Sequence, residues 1–242
     1  MNNNNLSSHE NQEPVNSFLY IVGTPIGNLR DISLRALNIL KNVNLIACED
    51  TRTSGKLLKH FLINTQTFAF HQHNEHRKVD HLVNILDAGQ NVALISDAGM
   101  PGISDPGFRA VRAAREAGHT ISVIPGPDAA TTALVASGLP SDRYCFEGFL
   151  PHKKGRQKKL GILAEEERTI ILYESPNRLL KLLTELETYM GNDRLIAVAR
   201  ELTKTFEEVL KGTVAELKAE FESRDSIKGE IVVVISGNGY TE

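Results

Sequence analysis

The sequence predicts an α/β fold divided into two domains, and three observations carry that reading. Through the first half, short apolar runs of strand length alternate with stretches of helical periodicity, the pattern of a parallel sheet with helices packed on it. Near the middle, Pro125-Gly126-Pro127-Asp128 breaks the alternation, which gives an N-terminal domain over 17–125 and a C-terminal domain over 126–242. Third, Asn91 to Gly107, NVALISDAGMPGISDPG, reads as a buried strand, a glycine-rich loop and a helix start.

That loop is the centre of the functional reading. Strand–helix connections usually run to about 2–6 residues. The segment after Ile95 is longer and holds Gly99, Gly102, Gly107, Pro101 and Pro106, with Asp97 and Asp105 among them. At the carboxyl end of a strand in an open α/β sheet, such a loop is where a ligand binds. Its glycines let a ligand approach the main chain or supply positive φ.

Composition sets outer limits. The 242 residues are 41% hydrophobic and 24% charged, with a formal net charge of −3, so nucleic-acid binding would need a local patch. Cys48 and Cys145 stand in apolar contexts without zinc spacing and are expected as reduced core residues. Residues 1–16 are polar, with neither an apolar stretch nor a basic start, and are expected as a disordered tail rather than a signal peptide. No apolar run approaches the ~20 residues of a membrane span, so the expected location is cytoplasmic, with no membrane partner.

In chain order, Phe18–Val22 is the first predicted strand. It enters Gly23-Thr24-Pro25-Ile26-Gly27-Asn28, which is neither a GxGxxG fingerprint nor a phosphate loop. Ser33 is placed to cap a helix with Leu34, Leu37 and Leu40 as its apolar positions. Asn44–Cys48 is the second strand, and Glu49, Asp50, Thr51 and Arg52 emerge together at its end. Two readings stand there. Asp50 or Thr51 caps the helix of Leu57, Leu58 and Phe61 while Arg52 makes a surface ion pair, or these groups line a cleft. Thr67–Phe70 is the third strand, followed by His71-Gln72-His73-Asn74-Glu75-His76. These histidines lack metal-site spacing and read as a polar rim, so no metal is expected. Helices over 75–88 and 108–116 and a strand over 120–124 complete the half.

Beyond the boundary, Ala129–Ala136 is a helix of small residues and Arg143–Phe149 a strand. His152 to Lys159 (HKKGRQKK) is the one concentrated basic run. Basic residues in a helix's first turn oppose its dipole, which argues for another use. Lys153, Lys154, Arg156, Lys158 and Lys159 are therefore expected to contact phosphates, the alternative being a solvated loop and helix start. Strands over 169–173, 195–199, 206–210 and 230–235, with helices at Leu179–Leu186 and 214–221, fill the remainder.

Several motifs coincide in order: Gly23-Thr24-Pro25-Ile26-Gly27, the Ser96–Gly107 loop, Pro125-Gly126-Pro127, Gly138-Leu139-Pro140, Tyr173-Glu174-Ser175-Pro176 and Arg200-Glu201-Leu202-Thr203-Lys204. From about Ser17 to Gly237 the chain resembles the tetrapyrrole-methylase superfamily, the class III S-adenosylmethionine-dependent methyltransferases. Within it, the resemblance is to the branch that methylates the 2′-oxygen of a cytidine ribose in 16S ribosomal RNA. It implies two α/β domains of tetrapyrrole-methylase type with the S-adenosylmethionine cleft between them. It also implies a homodimer, and the small ribosomal subunit or its 16S RNA as partner. Cofactor contacts are implied at Ile26, Gly99, Met100, Ile103, Ser104, Asp105, Asp128, Ala129, Tyr173, Glu174, Gly229 and Glu230. Met100 stands where tetrapyrrole methylases carry an aspartate, Ile26 where they carry a proline, and Asp128 where they carry a hydroxyl residue. These departures weigh against a porphyrin-type substrate.

The implied reaction is attack of a ribose 2′-oxygen on a sulfonium methyl group, helped by in-line positioning and a nearby base or cation. Glu49, Asp50, Asp105 and Glu201 are candidate bases, and Arg52 and Lys204 candidate cations; the sequence does not choose among them. The acceptor ribose is expected between the Glu49–Arg52 corner and the Asp105 loop, faced by Lys204. Two rival readings are a methylase of a tetrapyrrole-like small molecule and a non-catalytic RNA-binding protein that kept the fold.

Overall fold

The computed structural model describes residues 18–71 and 75–242; the expected tail at 1–16 and positions 72–74 of the histidine segment lie outside them. The chain forms two compact units. One takes the residues up to Pro25 together with Leu29–Pro127, and the other takes Ile26–Asn28 together with Asp128–Glu242. The division falls at Pro127/Asp128 because Asp128 is the N-cap of the next helix, its side chain accepting from the amides of Ala130 and Thr131. Ile26 leaves the first unit because its side chain is buried among Ala130, Leu134, Leu139 and Leu202.

The first unit is a five-stranded parallel sheet of β1 (Phe18–Val22), β2 (Leu45–Cys48), β3 (Thr67–Ala69), β4 (Val92–Ile95) and β5 (Thr120–Ile124), in the order β3-β2-β4-β1-β5. Side chains alternate between its faces. Tyr20, Val22, Ile46, Cys48, Ala93 and Ile95 pack under α1 (Leu34–Asn42) and α2 (Thr51–His60). Leu19, Ile21, Ala47, Val92 and Leu94 pack under α3 (Glu75–Asp87) and α4 (Phe108–Glu116). With both faces covered, the strands read as continuous apolar runs. Ser33 caps α1 as expected, its hydroxyl accepting from the Ala36 amide at 3.0 Å. The buried stripe of α1 is Ala36, Ile39 and Leu40, however, and Leu34 is 84% exposed. Leu40 and Leu37 thus pack inward as expected, joined by Ala36 and Ile39, and Leu34 in the first turn does not.

The second unit has a mixed sheet, β6-β7-β10-β8-β9, in which β6 (Tyr144–Phe149) and β7 (Thr169–Glu174) are parallel. β8 (Leu195–Arg200), β9 (Glu208–Thr213) and β10 (Ile231–Ile235) pair antiparallel. One face is covered by α6 (Arg156–Ala164), α7 (Leu179–Met190) and α8 (Val214–Glu222), the other by α5 (Ala129–Ser137). β10, IVVVI, is buried throughout because it is the central strand. β9 lies later than the predicted 206–210 because its ladder with β8 runs on to Thr213, and Phe206 is exposed. Among the described residues no helix is long and apolar enough to cross a membrane.

Candidate active site

β1 and β4 are neighbours whose connecting helices lie on opposite faces, so their carboxyl ends form the switch point at which such sheets bind ligands. The two loops leaving it are tied together. Thr24 and Gly99 exchange backbone hydrogen bonds of 2.9 and 3.0 Å, and the buried Thr24 hydroxyl donates to the Ser96 carbonyl at 3.1 Å. Both backbone groups of Gly99 are thus used within the protein. Gly99 holds the loop at φ +85°. Met100 packs against the core of Leu94 and Ala110, while Ile103 and Ser104 are exposed. Ser104 holds φ +59°, a strained conformation for a residue with a side chain.

Acidic groups gather at this edge. Glu49 follows β2, and Asp97 and Asp105 lie on the loop after β4. The Asp50 amide donates to Asp97 at 3.2 Å, and the Asp97 amide donates back to the Glu49 carboxyl, stitching the ends of two paired strands. Burial, followed by the charge of Glu49, pushes the Asp105 carboxyl up to about 7; a hydrogen bond with Ser96 opposes the rise. Burial and the Asp97 charge also raise Glu49. Asp97 is raised by partial desolvation of its carboxyl and by the charge of Asp50.

Asp50 behaves oppositely. It is the N-cap of α2, accepting from the Arg52 amide at 2.8 Å and pairing with the Arg52 guanidinium at 2.7 Å. The Arg52 hydrogen bonds hold the Asp50 carboxyl down at about 2. A group so strongly held in its ionised form is a poor proton acceptor near neutrality, so Asp50 leaves the candidate bases. The cap-and-ion-pair reading holds there. Glu49, Asp50, Thr51, Arg52, Ala69 and His71 nevertheless line an open cavity of about 350 Å³ at the carboxyl ends of β2 and β3.

In the second unit several expected roles change. The Lys204 ammonium donates to Glu201 at 2.7 Å and to Glu230 at 3.0 Å, and the Glu230 amide donates to Glu201 at 3.0 Å. The Lys204 hydrogen bond lowers Glu201, which removes it as a base. Lys204 and Glu230 are therefore parts of a locked turn, in which Glu201 and Thr203 hold φ of 53° and 66°. Gly229, at φ +96°, lies against that turn: a Cβ there would meet Glu201 Cγ at 2.4 Å. Asp128 spends its carboxylate on the amides at the start of α5 and on the Thr131 hydroxyl, with Ala129 beginning the helix.

Glu174 is fully buried. Its carboxylate meets Arg178 at 2.6 Å and Arg156 at 3.4 Å, and it accepts the Ser175 amide at 2.9 Å, so it serves the interior. Its neighbour Tyr173 stands edge-on to Phe146 and Phe149, with ring centroids 5.0 and 5.6 Å away. Arg156 corrects the phosphate expectation. Only 3% exposed, it pairs with Glu185 at 2.7 Å and donates to the Pro151 carbonyl at 3.2 Å. The carboxylates of Glu185 and Glu174, not a phosphate, offset its unfavourable place at the start of α6. Lys159 pairs with Glu147 at 2.6 Å, whereas Lys153, Lys154 and Lys158 are exposed.

Asp97 and Ala69 were absent from the expected site residues, whereas His71 belongs to the segment read as a polar rim. The signal for Asp97 was its position directly after Ser96 at the end of β4, the same strand-end rule that selected Glu49.

Comparison with known proteins identifies the family. Residues 18–218 match the family described as Tetrapyrrole (Corrin/Porphyrin) Methylases. The chain is 50% identical over 235 residues to Ribosomal RNA small subunit methyltransferase I of Escherichia coli O157:H7, covering 96% of this chain and 82% of that protein. It is 55% identical over 221 residues to the protein of the same name from Pasteurella multocida (strain Pm70), covering 90% and 79%. Among solved structures, uroporphyrin-III-C-methyltransferase from Thermus thermophilus matches with a TM-score of 0.64 at 20% identity, over 91% of this chain and 92% of that one. That last likeness is one of fold, and it joins the sequence matches in one conclusion: the chain belongs to the tetrapyrrole (corrin/porphyrin) methylase family.

Proposed function

We propose that this chain transfers a methyl group from S-adenosylmethionine to the ribose 2′-oxygen of a cytidine in 16S ribosomal RNA. The observation that carries the chemistry is Asp105, a half-buried carboxyl beyond the end of β4, brought to about 7 by burial and by Glu49. A general base works best with a value near the operating pH, and a ribose hydroxyl must lose its proton as it attacks. The substrate class comes from relatives named Ribosomal RNA small subunit methyltransferase I, 50% and 55% identical over at least nine-tenths of the chain. Met100, where tetrapyrrole methylases carry an aspartate, is in keeping with that branch.

The residues fit the cofactor. In the first unit Ile103 and Ser104 are exposed beside Asp105. In the second, the half-buried Ala129 and Tyr173 offer apolar and aromatic surface. The Thr203 hydroxyl is buried beside Gly27 with no hydrogen-bond partner among the described residues, a group that a polar ligand can satisfy. Each unit by itself thus offers groups that suit a part of the cofactor, its adenine, hydroxyls or amino-acid end. When bound, S-adenosylmethionine supplies an electrophilic methyl group. Asp105 holds the proton of the acceptor hydroxyl, and Asp97 positions Glu49 beside it. Lys153, Lys154 and Lys158 neutralise phosphates. A homodimer belongs to the same reading and is checked by light scattering.

The deciding experiment is methyl transfer from labelled S-adenosylmethionine to small ribosomal subunits, with the product nucleoside identified. A 2′-O-methylcytidine product supports the reading; label on another atom, or none, overturns it.

A further inference from the structure

We propose that the cavity lined by Glu49, Asp50, Thr51, Arg52, Ala69 and His71 receives the cytosine base of the acceptor nucleotide, with the Glu49 carboxylate on its N4 amine. This rests on the function proposed above and adds what selects cytidine.

Three observations point there. The cavity, about 350 Å³, lies at the carboxyl ends of β2 and β3, in the sheet that carries the Asp105 loop after β4. Small-molecule sites span ~300–1,000 Å³, so its size suits one nucleoside. Ala69, the last residue of β3, brings only a methyl group to the lining, so a larger side chain there would take up cavity space. An enzyme acting on one nucleotide takes it out of its stack, and the extruded base then needs a pocket.

The chemistry of Glu49 supplies the selection. A glutamate carboxyl accepts from the N4 amine of cytosine. The Asp97 amide already donates to the Glu49 carboxylate, which leaves its other lone pairs for that amine. Uracil presents an O4 acceptor at the same place, which would face the carboxylate lone pair to lone pair. Arg52 stands at the rim with its side chain 89% exposed and its guanidinium paired with Asp50.

The test compares methyl transfer to small subunits carrying cytidine or uridine at the methylated position. For the wild type, cytidine should be preferred. Glu49→Ala should reduce the preference by about 5- to 150-fold, the worth of one good base-edge pair. Glu49→Gln should keep part of it, because its carbonyl can still accept from the N4 amine. The ratio is taken within each variant, so a general loss of activity cancels. Ala69→Leu, which fills the cavity, should raise KM for subunits while leaving affinity for S-adenosylmethionine unchanged; it decides the matter if Glu49→Ala is too slow for a ratio. An unaltered cytidine preference in Glu49→Ala, or an unaltered KM in Ala69→Leu, overturns this inference alone. A wild-type protein that puts no methyl group on a 2′-oxygen overturns the proposed function, and this inference with it.

Discussion

Replacing Asp105 by asparagine should make the protein more stable and less active. In the folded protein the carboxyl titrates at about 7, against 3.8 for an ordinary aspartate. Between those values the folded state keeps a proton that the unfolded chain releases. The unfolded state binds fewer protons, so stability falls as pH rises through this window. Each pH unit is worth about 1.36 kcal/mol, so a window of about three units sets an upper figure of roughly 4 kcal/mol. The carboxyl is partly exposed, and asparagine alters the bond with Ser96. The net gain expected of Asp105→Asn is therefore about 1–3 kcal/mol near pH 8. The gain should shrink as pH falls from about 7 towards 4 and stay level above 7. Turnover should fall by ~10²–10⁴-fold if the carboxyl is the base. Urea denaturation of both proteins across this pH range, with single-turnover methyl transfer, measures both effects. A variant less stable than its parent at high pH, or a gap that ignores pH, refutes the desolvated-carboxyl account. Undiminished turnover refutes the catalytic role.

Other expectations follow from the second unit. Arg156→Ala leaves the buried carboxylate of Glu174 short of a partner and should cost about 3–5 kcal/mol in denaturant titrations, with no change in the salt slope of RNA binding. Alanine at Lys153, Lys154 and Lys158 together should weaken RNA binding across sequences and flatten log K against log salt by roughly 0.7–0.9 per lost contact; an unchanged slope would show that these lysines only face solvent. Gly229→Ala places a Cβ 2.4 Å from Glu201 Cγ at φ +96°, so a loss of about 1–3 kcal/mol is expected, and an unshifted thermal melt would contradict the locked turn.

The strands were legible because both faces of each sheet are covered, so β4 (VALI) and β10 (IVVVI) read as unbroken apolar runs. Caps were legible too, since Ser33 and Asp50 act on amides two or three residues away. What the sequence could not separate was like residues in unlike surroundings. Asp50 and Asp105 both lie beyond strand ends, yet an adjacent arginine holds one down and burial among carboxylates lifts the other. Arg156 looked like its lysine neighbours because its partners, Glu174 and Glu185, come 18 and 29 residues later. Pairing at that distance is a property of the folded chain. The exposed Leu34 makes the same point for α1: of the three leucines expected inside, Leu40 is buried and Leu37 packs against the core, but Leu34 faces solvent.

Ile26, buried in the second unit's core, also imposes an order on synthesis. Chains emerge amino end first, and domains tend to fold as they appear. The parallel sheet is complete once β5 is made, but the residues that bury Ile26 begin with α5, about a hundred positions after it. Until then the turn at Ile26–Asn28 must wait, held at both ends by a unit to which it does not belong. Produced without the first 127 residues, the later half would lack one of its own core side chains, and the earlier half would carry an isoleucine with nowhere to bury it. The two units are thus separable in geometry but not in manufacture: the second is a discontinuous folding unit whose first piece is translated before most of the first.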